Sequence, residues 1–148
     1  MKWIVLIGEV NDDVIKYAKT LPGSNHIVRY PEKDLHPNKQ IKTLDHMHKL
    51  KMLDSIIILT HSPYILTQIN HWITAGQVGE EYPVTTNKIV PEKYWLNDVE
   101  AYEVIGKNAI SILDTDGLIK IWMVENVITK INKEFDEIME VLYEPVSK

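Results

Sequence analysis

Runs of consecutive apolar residues alternate along this chain with stretches in which apolar residues recur every three or four positions. Trp3 to Ile7 is a continuous apolar run closed by Gly8, the pattern of a strand buried on both faces. Asn11 stands where it would cap a following helix, with Asp12 and Asp13 in the first turn, where negative charge suits the helix dipole. Val14, Tyr17, Ala18 and Leu21 would face the core of that helix, and Pro22-Gly23 would end it. His26 to Tyr30 predicts a short second strand. Asn38 to Leu53 predicts a second helix, with Ile41, Leu44, Met47 or His48, and Leu50 at helical spacing. Ser55 to Leu59 predicts a third strand and is the most β-branched run in the chain.

After Pro63, the positions of Ile65, Leu66, Ile69, Trp72 and Ile73 predict an amphipathic helix that Gly76 and Gly79 bring to a close. Glu80 to Trp95 breaks periodicity with Pro83 and Pro91 and reads as a long surface loop. Tyr102 to Ile105 and Ala109 to Leu113 read as strands. Asp114-Thr115-Asp116-Gly117 then makes a turn into Leu118 to Met123, which predicts a hairpin. A last helix from about Glu125 to Tyr143 carries one apolar stripe of Val127 or Ile128, Ile131, Phe135, Ile138 and Leu142. The alternation predicts a single α/β domain spanning residues 1–148: a three-layer parallel-sheet core, an added antiparallel hairpin and a C-terminal helix. The strands Trp3 to Ile7, His26 to Tyr30 and Ser55 to Leu59 are expected to be parallel neighbours.

Composition narrows the classes of function. At 148 residues, 45% hydrophobic and 25% charged, the chain suits one globular domain. No apolar run approaches the ~20 residues that span a bilayer, and the apolar start meets Glu9, Asp12 and Asp13 with no small-residue cleavage site, so a first strand is expected there instead of a signal peptide. Without cysteine there are no disulfides, thiolate metal sites or cysteine nucleophiles. A cytoplasmic location is the expectation. A net charge of −5 with dispersed lysines gives no support for nucleic-acid binding, and no membrane partner is expected.

Two segments carry the most specific signal. Arg29-Tyr30-Pro31-Glu32-Lys33-Asp34-Leu35-His36-Pro37 follows one predicted strand, and Thr60-His61-Ser62-Pro63-Tyr64 ends the next. Together they resemble the C-terminal part of ABC-type ATPases of the SMC-like and OLD-like branch. There a hydrophobic strand leads into Asp-Glu-Pro-Glu and a Leu-His-Pro turn, and the strand after it ends in the switch histidine as Thr-His-Ser-Pro. In that family the aspartate holds Mg²⁺ through water and the glutamate polarises the attacking water. Arg29 takes the aspartate position and Tyr30 the glutamate position, while Pro31-Glu32 match the family's next two residues. Leu35, His36 and Pro37 match the turn that lies at the family's dimer interface, and Gln40 falls where the following helix often has a glutamine. His61 matches the histidine that contacts the γ-phosphate. The resemblance covers about Asn25 to Asn70, and more loosely extends to Glu144. Within the 148 residues no stretch matches the Gly-x-x-x-x-Gly-Lys-Ser/Thr phosphate loop, and Gly8-Glu9 is only a faint echo of the Leu-Ser-Gly-Gly segment.

The resemblance therefore implies a degenerate ATPase domain with no catalytic residues, no cofactor and no metal of its own. It would act as a binding or assembly module with a protein partner or a second copy. Leu35, His36 and Pro37 are the interface candidates, and His61 is the nucleotide-contact candidate. The alternative is an accessory subunit or fragment that contacts ATP through His61 only when a partner supplies the phosphate loop. A third reading is a small α/β protein whose site, unrelated to nucleotides, lies near the carboxyl ends of its strands. Bland readings stand beside these. Glu32 and Asp34 read as a solvated turn, Arg29 and Tyr30 as packing or surface-pairing residues, and His46 and His48, two apart on a helix, as surface histidines. Asp114-x-Asp-Gly lacks the length of a calcium loop, and Ser62 shows no triad partner. Tyr64, Trp72, Tyr94 and Trp95 are the aromatic residues expected either to cap the core or to extend a contact surface.

Overall fold

The computed structural model describes residues 1–8, 12–22, 26–50 and 54–143. In chain order the elements are β1 (Lys2–Gly8), α1 (Asp12–Thr20), β2 (Ile27–Arg29), α2 (Pro37–Met47), β3 (Ser55–Leu59), α3 (Pro63–Glu81), α4 (Pro83–Ile89), a 3₁₀ turn at Glu92–Tyr94, β4 (Val99–Ile105), β5 (Asn108–Ser111) and α5 (Trp122–Tyr143). The five strands form one sheet in the order β2-β3-β1-β4-β5, parallel except for β5. The three strands expected to be parallel neighbours are adjacent. The predicted helix cap at Asn11 and the helix stop at Gly23 lie outside the described residues.

Strand alternation divides the interior in two. Trp3 and Val5 of β1 pair in register with Ile56 and Ile58 of β3, and their side chains join Leu44 and Met47 of α2 and Ile65, Leu66, Ile69 and Trp72 of α3. Ile4 and Leu6 pair with Ile57 and Leu59, and these turn to the opposite face against Val14 and Ala18 of α1. A sheet buried on both faces needs the continuous apolar runs that the sequence displays. All five residues of β3 are buried.

Several expectations are corrected. Gly76 and Gly79 do not end α3, which runs on to Glu81 with both glycines buried. They are close-approach points: a Cβ on Gly76 would sit 2.9 Å from the Leu96 carbonyl oxygen, and one on Gly79 would sit 2.5 Å from the Trp95 ring. The segment expected to be a surface loop holds α4 and the 3₁₀ turn. Pro83 starts α4 at a position that needs no amide hydrogen, while Val90 and Leu96 enter the core and Trp95 Nε1 donates to the Val90 carbonyl at 2.8 Å. The antiparallel hairpin turns at Gly106-Lys107, where Gly106 has φ +58, a left-handed value that suits glycine at the first position of a two-residue loop. Asp114 to Gly117 forms a separate tight turn carrying a single bridge between Leu113 and Ile119.

The second helix ends at Met47 instead of Leu53, and Leu50 is exposed, whereas residues 51–53 lie outside the described set. His48, expected at the surface, is buried among Trp3, Trp72 and Tyr94 at ring-centroid distances of 4.9, 4.6 and 5.2 Å. Of the four aromatic contact candidates, Trp72 is core, Tyr94 and Trp95 pack against it, and Tyr64 is exposed.

Helix propensity alone favours Gly76→Ala by about 1 kcal/mol, but the added methyl meets backbone that cannot yield cheaply. We expect urea unfolding to show a net loss of about 1–3 kcal/mol; a gain in stability would mean that the α3–Leu96 approach is looser than described.

Candidate functional site

The two sequence segments meet at the carboxyl ends of β2 and β3. β2 stops at Arg29 because the chain turns sharply, with Tyr30 at φ 47 and Asp34 at φ 59, both left-handed values. Backbone bonds from Lys33 N–H to the Tyr30 carbonyl and from Leu35 N–H to the Glu32 carbonyl close two linked turns. Asp tolerates this conformation, whereas for Tyr it costs about 1–2 kcal/mol. The turns fold Glu32 back toward β3. Its Oε1 accepts from the His61 backbone N–H at 2.7 Å and from Thr60 Oγ1 at 3.0 Å. Contrary to the expectation of a solvated turn, Glu32 is the clasp between the segments.

A second clasp lies behind it. Gln40 Nε2 donates to the Leu35 carbonyl at 2.9 Å, and its Oε1 accepts from Ser62 Oγ. Ser62 in turn caps α3 by accepting from Ile65 N–H at 3.3 Å, and Thr60 Oγ1 accepts from Ser62 N–H at 3.1 Å. His36 caps α2, its Nδ1 accepting from Asn38 N–H at 3.3 Å, and Pro37 opens that helix. His36 Nδ1, the Leu35 carbonyl, the Gln40 amide and the Ser62 hydroxyl are thus engaged in holding the starts of α2 and α3 together. Ser62 is a cap, and nothing in its bonding makes it a nucleophile.

Tyr30 lies flat against His61, with ring centroids 5.1 Å apart and an interplanar angle of 14°. Among the described residues, Tyr30 OH, Glu32 Oε2 and His61 Nε2 are buried polar atoms without hydrogen-bond partners. Burial first, and the nearby Glu32 carboxylate second, push the Tyr30 phenol above its ordinary pKa, partly offset by Arg29. Most buried polar groups in native proteins are hydrogen-bonded, so three such atoms close together mark this corner as the candidate site.

The cluster borders a cavity of about 520 Å³ lined by Ile7, Gly8, His61, Glu103, Val104, Ile105 and Gly106. Its position follows from topology. β1 and β3 are neighbours, yet α1, which follows β1, covers one face and α3, which follows β3, covers the other. Open α/β sheets place ligands in the crevice at such a switch point. The wall contributed by Glu103 to Gly106 was not legible in the sequence, because only sheet order brings β4 beside β1. Gly8 is there for contact: a Cβ would sit 2.7 Å from Val14 Cγ2 and 2.9 Å from the Val104 carbonyl oxygen. Arg29 is exposed, His46 is exposed on α2, and no group of three or more His, Cys, Asp or Glu suited to a metal occurs among the described residues. No described helix is long and apolar enough to cross a membrane.

Comparison with known proteins adds no relative: no family model, no curated protein and no solved structure matches the chain.

Two substitutions separate scaffold from site. Glu32→Gln weakens a charged acceptor of two hydrogen bonds, and thermal or urea unfolding should show a loss of about 1–3 kcal/mol. Tyr30→Phe removes an unpartnered hydroxyl and keeps the stack, so stability should hold or rise by up to about 1 kcal/mol. A marked loss from Tyr30→Phe would reveal a hydroxyl partner that the cluster as described does not have.

Proposed function

We propose that the chain is a catalytically inactive ABC-ATPase-like domain that works as a binding or assembly module. The observation that carries this reading is the stack of Tyr30 on His61. In the family the resemblance points to, the residue at the Tyr30 position is a carboxylate beside the attacking water, and the histidine reaches the γ-phosphate. Here those two positions are engaged with each other, and the remaining glutamate of the motif, Glu32, is turned onto the Thr60 and His61 segment. Arg29 puts a positive charge where the family binds Mg²⁺, and phosphoryl transfer without metal or water-positioning carboxylate has neither of its main sources of charge stabilisation. The absence of a phosphate-loop motif from the 148 residues agrees with this. Leu35, His36 and Pro37 remain the candidate contact turn for a protein partner, held in shape by Gln40 and the α2 cap.

One observation favours the alternative, an accessory subunit or fragment that contacts ATP only beside a partner. His61 lines the 520 Å³ cavity and keeps Nε2 unpartnered. The imidazole would then meet a nucleotide whose phosphates a second protein holds.

Calorimetric titration of the chain with ATP and Mg²⁺ tests the leading reading. No saturable heat is expected at micromolar nucleotide, and no phosphate release above that of a His61→Ala control. Turnover that the His61→Ala change abolishes would overturn it.

A further inference from the structure

The fold gathers lysines that the sequence leaves dispersed. Lys42, Asp45 and His46 share one face of α2, at intervals of three or four residues, and Lys49 stands in the turn that follows. Packing of His48 against Tyr94 brings Lys93 of the 3₁₀ turn to the same place. Together they surround a cavity of about 460 Å³, with Tyr94 and the buried His48 forming its aromatic side. Sites for small ligands are typically of this size, about 300–1,000 Å³. The cavity lies at the opposite end of β1 from the one beside His61, since His48 packs on Trp3 whereas Ile7 and Gly8 line the other.

The local charge runs against that of the chain. Three lysines line this cavity against a single carboxylate, Asp45, in a protein of net charge −5. Among the described residues none of the three forms an ion pair, although Asp45 lies three residues after Lys42 and four before Lys49. Placement at a helix C-terminus accounts for Lys49, but not for Lys42 in mid-helix or for Lys93 on another element. Lys93 Nζ sits over the Tyr94 ring, 4.9 Å from its centroid, and Tyr94 stacks on Trp72 at 5.4 Å, so this charge is tied to the packing of the core. A charge held on a rigid ring cluster is preorganised for an anion.

We propose that this cavity binds a small anion carrying two or more phosphate groups. Lysines supply separate point charges, which suit phosphate oxygens spread in three dimensions, and no arginine, whose planar fork matches a carboxylate, is among the described residues that line the cavity. Three ammonium groups against one carboxylate favour a ligand with more than one negative charge. The negative charge of the chain as a whole disfavours extended polyanions such as nucleic acid or an anionic bilayer, which leaves a ligand small enough to sit among the lysines. This site stands apart from the ATPase-like reading.

Calorimetric titration of the full chain with pyrophosphate, without magnesium and up to millimolar concentration, should give saturable binding that weakens as salt is raised. Inorganic phosphate should bind more weakly. Lys42→Gln combined with Lys93→Gln should weaken pyrophosphate binding at least about tenfold. Lys16→Gln combined with Lys19→Gln makes the same change of charge on α1, across the sheet, and should leave binding within about twofold. All four lysines are exposed, so both pairs should keep the wild-type fold by circular dichroism. Asp45→Asn removes the one carboxylate that lines the cavity and should tighten binding about threefold. Absence of saturable heat, phosphate binding as tight as that of pyrophosphate, equal losses from the two lysine pairs, or a loss with Asp45→Asn would each overturn the proposal. His61→Ala should bind pyrophosphate as the wild type does, so failure of this site and failure of the ATPase-like reading are told apart.

Discussion

Everything in this fold depends on the burial of β3 on both sides. A strand whose five consecutive residues are hidden can exist only in the middle of a sheet with helices on both faces. That requirement recruits β1 and β2 as parallel neighbours and sends α1 to one face and α2 and α3 to the other. It also creates the crevice. Where adjacent strands send their helices to opposite faces, their carboxyl ends cannot be covered by either helix, and the cavity beside His61 lies there. The site is a consequence of strand burial before it is a matter of side-chain chemistry.

Within that frame, the strand ends are held by hydrogen bonds between loops in addition to apolar contact. Glu32 and Gln40 each reach across from the first segment to the second. Both use side-chain atoms to satisfy groups that a helix or strand end would otherwise leave open. The spacing of the two segments in the chain is therefore a structural requirement. The same turn would be needed whatever occupied positions 29 and 30, since its closing bonds come from the backbone of Tyr30 to Leu35.

What could be read from the sequence divides along physical lines. β1 and β3 were legible because burial on both faces leaves unbroken apolar runs, and α5 because its stripe is regular. The meeting of Leu35–Pro37 with Thr60–Tyr64 was implied only by resemblance, and the roles of Glu32 and Tyr30 within it were not visible. A glutamate in a turn looks solvated until the fold supplies backbone amides for it. Gly76 and Gly79 were misread for a related reason: glycine commonly ends helices, but here the missing side chains admit Leu96 and Trp95, a tertiary need that local propensity cannot express. His48 was misread because the partners that bury it, Trp3, Trp72 and Tyr94, are distant in sequence. The wall of the cavity from β4 was hidden in the same way.

Tyr30 shows how a fold can hold one residue against its own backbone preference. A tyrosine at φ 47 is held against its own backbone preference, and strain of this kind persists only where surroundings over-determine the conformation. The surroundings here are the ring of His61, stacked 5.1 Å away with its plane nearly parallel, and the β2–β3 pairing that ends with Arg29 opposite Leu59. Stacking of two flat rings offsets part of the backbone strain. It also withdraws the phenol and the imidazole from solvent, leaving both with polar atoms unpartnered. With an aromatic residue at position 30, the turn becomes a rigid, half-buried corner between the starts of α2 and α3, fixed by the ring stack on one side and by the Glu32 and Gln40 hydrogen bonds on the other.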